Sequence, residues 1–285
     1  MKRIIFIAIL HSLFSLGVSG QDIIKPGMHS KNLNLQNPAF VAIDKDSHSG
    51  IDLYGRYKFA KKGWNKDPNA VLSYSGRNKR AGGFYSAIYS YDNYSYYNRH
   101  TFSLGYGTIW NMSEGRSLRA GIRGVFNFDN IEWHNIYNYR GDGQDRSMHM
   151  TPDLDIGIEY NSGRVRTGLS VRNVVGVKRD FRRDGVVLYN RRMLFFDITY
   201  NLPLGEVFEM EYHASVYVER NYTADLGFSI KYRGRYHLLY NFRLLELRHI
   251  AGFQIDFNHV NIGIIYDASH LHSDRNIDMV LGFRF

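Results

Sequence analysis

Residues 116–129 read RSLRAGIRGVFNFD. Every second residue gives Leu118, Ala120, Ile122, Gly124, Phe126 and Phe128. The remaining set gives Arg119, Gly121, Arg123, Val125, Asn127 and Asp129. A helix would scatter both sets around its axis, whereas a period of two gives each set its own face of a strand. The first face carries no charge, and the second carries two arginines and an aspartate. The same division recurs in DLDIGIEY (153–160), EVFEMEYHASVYV (206–218), ADLGFSIKY (224–232) and the closing NIDMVLGFRF (276–285).

Fourteen segments of this kind follow one another, at about 51–60, 69–77, 82–91, 99–110, 117–129, 154–162, 164–172, 192–201, 207–218, 223–232, 235–244, 249–257, 260–267 and 277–285. Most approach the roughly 9–11 residues that cross a bilayer when tilted. Their connections sort by parity. The even-numbered ones are short, such as Ser162-Gly163, Arg233-Gly234 and Asn258-His259, and the odd-numbered ones are mostly longer, notably 130–153 and 173–191. Short turns at one end and long loops at the other are the layout of an outer-membrane barrel; a soluble sandwich has no reason to sort its loops this way. The expected fold is therefore all-β: a transmembrane outer-membrane β-barrel of about 14 antiparallel strands. Phe285, Phe283 and Leu281 would form the lipid-facing edge of the last strand, which closes the barrel against 51–60 and removes both sheet edges.

Composition agrees. Tyrosine (22) and phenylalanine (18) are abundant, proline (5) is scarce and cysteine is absent. No cysteine means no disulfide framework, no thiolate metal site and no lipoprotein processing. Trp110, Tyr160, Tyr200, Tyr232, Tyr266 and Phe285 fall near strand ends, where interfacial girdles lie. The first twenty residues have a basic start, an apolar stretch and small residues before Gln21, the pattern of a secretory signal. The expected organisation is a signal peptide at 1–20, a periplasmic segment or plug at 21–49, and the barrel at 50–285. Beyond the leader, 34 basic residues face 27 acidic ones, and no Lys/Arg run of the nucleic-acid kind occurs.

If Ser162-Gly163 is a two-residue turn, Glu159 lies opposite Arg166 and Asp153 opposite Arg172 on the polar face. The lumen charges then read either as a charged pore or peptide-holding lumen, or as a self-neutralising network that fills the barrel. The loop residues Lys178, Arg179, Arg182 and Arg183 are candidates to meet lipopolysaccharide phosphates or an acidic partner, or they form a solvated loop.

Several short motifs resemble the PorP/SprF family of the Bacteroidota type IX secretion and gliding machinery. They are Asn37-Pro38-Ala39-Phe40, Leu53-Tyr54-Gly55-Arg56-Tyr57, Pro152-Asp153-Leu154-Asp155-Ile156-Gly157, Gly168-Leu169-Ser170 with Asn173, Tyr266-Asp267, and Leu281-Gly282-Phe283-Arg284-Phe285. The resemblance covers essentially the whole chain after the leader. It implies a non-enzymatic outer-membrane component that assists export or surface anchoring of a secreted client. The implied partners are that surface protein and a periplasmic peptidoglycan-binding lipoprotein or other secretion components, within a lipid bilayer and without nucleic acid. A passive or substrate-specific channel is the alternative.

No hydrolase, metalloprotease or phosphate-binding motif occurs, so neither an enzyme nor a cofactor is expected. His270-Leu271-His272 lacks a third metal ligand, and Asp142-Gly143-Gln144-Asp145 lacks the oxygens of a calcium loop. His213 and Ser215 fall on the lumen face rather than on the lipid-facing rim that a lipid hydrolase would use.

Overall fold

Alternation becomes pairing: each two-faced segment hydrogen-bonds to the next, and the last returns to the first. In this computed structural model, residues 33–40, 48–60, 63–64, 69–78, 82–94, 97–113, 115–132, 146–181, 186–219, 222–269 and 275–285 are described. The barrel strands are β1 (Ser49–Ala60), β2 (Asn69–Asn78), β3 (Gly83–Tyr94), β4 (Tyr97–Ser113), β5 (Arg116–Glu132), β6 (Arg146–Asn161), β7 (Val165–Arg172), β8 (Met193–Leu204), β9 (Phe208–Val218), β10 (Tyr222–Tyr232), β11 (Tyr236–Arg243), β12 (Arg248–Phe257), β13 (Val260–Ser269) and β14 (Arg275–Arg284). Each neighbours its sequence successor, and β14 pairs with β1 to close an antiparallel cylinder. No helix among the described residues is long and apolar enough to cross a membrane. A ten-residue strand at about 3.4 Å per residue, tilted about 40°, rises roughly 26 Å, the height of an outer-membrane apolar band.

The seam matches the expected closure. Leu53 pairs with Leu281 and Ile51 with Phe283. Outside it, Met279, Phe283 and Phe285 are exposed. Inside it, Arg56 donates twice to the Asp278 carboxylate, at 2.7 and 2.8 Å, and Arg284 donates to Asp52 at 2.8 Å. Trp110, Tyr200, Tyr266 and Phe285 are exposed, and Phe208, Tyr232 and Tyr236 form a ring ladder near the short-turn rim with centroids 4.9 and 6.3 Å apart.

Three expectations need correction. First, β4, β5 and β6 reach 17, 17 and 16 residues, so the long connection after β5 shrinks to 133–145. Second, the 173–191 connection contains a separate hairpin, Lys178–Phe181 against Val186–Tyr189. Third, the β6–β7 turn is Gly163-Arg164, because the Ser162 amide donates to the Val165 carbonyl at 2.8 Å and Gly163 takes φ +79°. A two-residue hairpin turn wants a residue free to adopt positive φ at its first central position, which favours glycine there. The register therefore moves by two. Each strand keeps its inward face, but Glu159 now lies opposite Gly168 rather than Arg166, and Arg172 lies beyond the paired residues. Arg164 and Arg235 fall in turns.

Leu226 lies five residues into the eleven-residue β10 and is 48% exposed on the outer face. Leu226→Arg is expected to destabilise the barrel by about 2–4 kcal/mol, measured by reversible urea unfolding in lipid vesicles.

Candidate functional site

The lumen is crossed by residues 33–40, a helical turn α1 (Leu33–Gln36) followed by Asn37-Pro38-Ala39-Phe40. Asn34, Gln36, Asn37 and Ala39 are buried. Three successive carbonyls of this segment meet barrel donors. Arg123 on β5 donates to the Asn34 carbonyl at 2.6 Å and the Leu35 carbonyl at 3.0 Å; Ser170 on β7 donates to the Gln36 carbonyl at 2.8 Å. Side chains add further bonds. Asn37 Nδ2 donates to the Ile158 carbonyl at 3.0 Å, and Arg172 donates to Gln36 Oε1 at 2.8 Å.

The wall beneath Asn37 and Pro38 lacks side chains. Gly121 and Gly157 are direct cross-strand partners on β5 and β6. A Cβ on Gly121 would overlap the Pro38 carbonyl, and one on Gly157 would overlap Asn37 Oδ1. At Gly121 this is close approach of backbone to backbone, and at Gly157 of backbone to a side chain, and both leave room only for glycine. Gly124, on the outer face of β5, has nothing within 4 Å of a built Cβ.

Apolar side chains hold the two flanks. Leu33 packs with Met193, Phe195 and Tyr217, and Phe40 lies against the same cluster. Leu35 packs against a belt of inward-facing residues that includes Tyr54, Val71, Ile88 and Ile265. The Arg166 guanidinium sits 4.8 Å from the Phe40 ring centroid, a cation–π contact.

Asp155 organises the electrostatics. Its Oδ2 accepts from Arg123 Nε and Nη2 at 3.0 and 2.6 Å, and lies 3.6 Å from Arg172; its Oδ1 accepts the Asn173 amide at 2.9 Å. Asn173 sits at φ +53° and donates from its side chain to the Arg191 carbonyl, so one aspartate fixes both the lumen segment and the base of the 173–192 loop. Elsewhere the lumen charges pair across strands: Arg119 with Glu159 at 2.8 Å, Arg99 with Asp129 at 2.6 Å, Arg243 with Asp225 at 2.8 Å and Arg248 with Asp267 at 2.7 Å. These pairs are buried and geometrically good.

The sequence-derived residues are only partly brought together. Glu159 pairs with Arg119 instead of Arg166, and Arg166 donates to Thr199 at 2.9 Å. Asp153 does not meet Arg172; its Oδ1 accepts the Leu154 and Val175 amides. Lys178 is exposed, the Arg179 side chain is not described, and Arg182 and Arg183 lie outside the described residues. So do the leader at 1–20, residues 21–32, and the Asp142–Asp145 and His270–His272 motifs. Among the described residues no group of three or more His, Cys, Asp or Glu could hold a metal. Ser215 faces the lumen between Asp197 and Asp225, and His213 stands over Gly227.

The motifs that carried the family resemblance fall at two places. Asn37-Pro38-Ala39-Phe40 lies in the lumen, where Asp155 and Gly157 support it and Ser170 bonds the preceding Gln36 carbonyl, while at the seam Arg56 meets both Asp278 and Asp267, the latter at 3.6 Å. Residues 19–285 match the family described as type IX secretion system membrane protein PorP/SprF. The chain belongs to the PorP/SprF family. It is a membrane component of a secretion machinery, and its barrel places it in the outer membrane. No curated protein matches it. Among solved structures, this PorP/SprF chain is similar to the CymD monoaromatic hydrocarbon channel, at 10% identity over 95% of this chain and 96% of that one with a TM-score of 0.58. It is also similar to the Ralstonia pickettii toluene transporter TbuX, at 10% identity over 90% and 94% with a TM-score of 0.57. The Acinetobacter baumannii outer membrane protein Omp33 matches at 8% identity over 85% and 100% with a TM-score of 0.54. Likeness at these identities is likeness of fold.

Sequence reasoning missed Arg123 and Ser170 as contacts of the N-terminal segment. The available signal was the pair Gly121 and Gly157 on the polar faces of adjacent strands, informative only once their register is known.

Two outcomes follow. With Ala39→Cys as the single cysteine, a water-soluble maleimide should label the native barrel slowly, since Ala39 is 0% exposed. Adding Gly121→Val should raise the rate at least tenfold, and adding Gly124→Ala should leave it unchanged. Separately, Arg123→Ala leaves Asp155 with Arg172 at 3.6 Å and the Asn173 amide and takes the donor from the Asn34 and Leu35 carbonyls, and should destabilise the fold by about 3–5 kcal/mol in urea titrations.

Proposed function

We propose that this PorP/SprF chain is a non-enzymatic adaptor of type IX secretion that assists export or surface anchoring of a secreted client. The observation that carries the reading is the obstructed lumen: residues 33–40 lie across it, and buried arginines pair with carboxylates around them. A barrel built to pass small solutes would keep its inward donors and acceptors hydrated, whereas here Arg123, Ser170 and Arg172 bond a segment of the same chain and further arginines bond carboxylates. The long-loop rim then becomes the working surface toward the client, and the short-turn rim the surface toward a periplasmic partner, a peptidoglycan-binding lipoprotein by family analogy.

The test is a mild-detergent pull-down of the tagged protein from native outer membranes, read by mass spectrometry. A large surface protein or peptidoglycan-binding lipoprotein at near-equal amount is the expected result. A clean homomeric barrel would instead favour the channel reading. Planar-bilayer recordings should show little steady conductance for the native chain and frequent openings for Gly121→Val.

A further inference from the structure

We infer that the lumen floor is a peptide-binding site: a groove shaped for a main chain, occupied here by residues 33–40, that also takes a segment of like pattern from a client. This rests on the adaptor reading and names the client chemistry that reading would use.

The groove recognises its occupant mainly through backbone. The donors from Arg123 and Ser170 reach three consecutive carbonyls and are indifferent to the side chains there. The Gly121–Gly157 floor admits a chain at contact distance: Gly121 lies under the Pro38 carbonyl, and Gly157 lies under the Asn37 side chain. Selectivity comes from the side chains, beginning with the bonds of Gln36 to Arg172 and of Asn37 to the Ile158 carbonyl. Leu33 fills the pocket of Met193, Phe195 and Tyr217; Leu35 meets the apolar belt; Pro38-Ala39 lies over the glycines; Phe40 faces Arg166. The ligand class is therefore a short segment with apolar residues two apart, amide side chains after them, a small residue over the glycines, and an aromatic residue next to it.

The structure also offers an approach to this site. A cavity of about 90 Å³ lies against Leu35 and Gln36 on the long-loop side, lined by Asp92, Arg99, Asn127 and Arg172 among others. Gln36 is 1% exposed, and its Nε2 has no hydrogen-bond partner in the structure. A segment arriving from the long-loop rim would meet Leu35 and Gln36 first. The resident segment competes from within the same chain, at the high effective concentration a short tether gives. A free peptide should therefore bind the native barrel poorly, and only a client already held by the loops would displace the resident.

The test uses the full chain with residues 33–40 replaced by alternating Gly and Ser, its folding checked by heat-modifiable gel mobility. The probe is a fluorescent peptide of sequence NLNLQNPAFV, the residues 32–41, followed by anisotropy in detergent. Saturable binding at least tenfold tighter than to the native chain is expected, with at least a tenfold loss on adding Gly121→Val. Binding no better than to the native chain, or indifferent to Gly121→Val, overturns the inference. A second variant covers failure of the first to fold. Asn34 Nδ2 lies 3.4 Å from Ser73 Oγ, so Asn34→Cys with Ser73→Cys can be joined by a short bis-maleimide. Client recovered from outer membranes should fall at least tenfold in the joined protein relative to the unjoined one. Equal recovery overturns the groove while leaving the adaptor reading intact; no client in either takes both down.

Discussion

A fourteen-stranded cylinder encloses more space than its own inward side chains fill. Eight strands close around their side chains, and sixteen or more leave a water channel. The intermediate size here imposes a choice, to leave water in the lumen or to bring in further chain. Residues 33–40 supply the further chain, and paired inward arginines and carboxylates line the space around them. The Arg123–Asp155 pair is where both solutions meet, because the same guanidinium neutralises a buried carboxylate and binds the inserted main chain. Without the segment, two of its donors would lose their acceptors; without the carboxylate, its charge would be buried unpaired.

The wall was legible in the sequence and the filling was not. Period-two alternation in 116–129 and 153–160 determines which side chains face lipid, and every strand keeps the face its pattern assigns. The seam was readable because a two-faced closing segment needs a partner edge. Register was less secure: Gly163 rather than Ser162 begins the β6–β7 turn, so pairs moved by two while faces stayed put. Contacts of the lumen segment were out of reach for a different reason. Arg123 and Asn34 are 89 positions apart, and Ser170 and Gln36 are 134 apart, with no local pattern linking them. Only the overall closure brings them together.

The solved barrels that superpose on this chain share its architecture at 8–10% identity. The fold is thus a container whose use depends on its contents. In this chain the contents are directed inward: Asp155 ties the lumen segment to Asn173 at the base of the largest described loop, so the interior and the long-loop rim are mechanically joined.

The seam has a consequence for how the molecule is made. Its two ion pairs, Arg56 with Asp278 and Arg284 with Asp52, join residues 222 and 232 positions apart, nearly the two ends of the sequence. Every other strand pair of the barrel joins neighbours in the chain and can form as the sheet grows. Closing so long a loop costs the most chain entropy of any contact in the wall and is compensated only when the whole row of seam bonds forms together. A sheet built in chain order would carry two exposed edges until β14 pairs with β1, so this one row of bonds removes both of them at once.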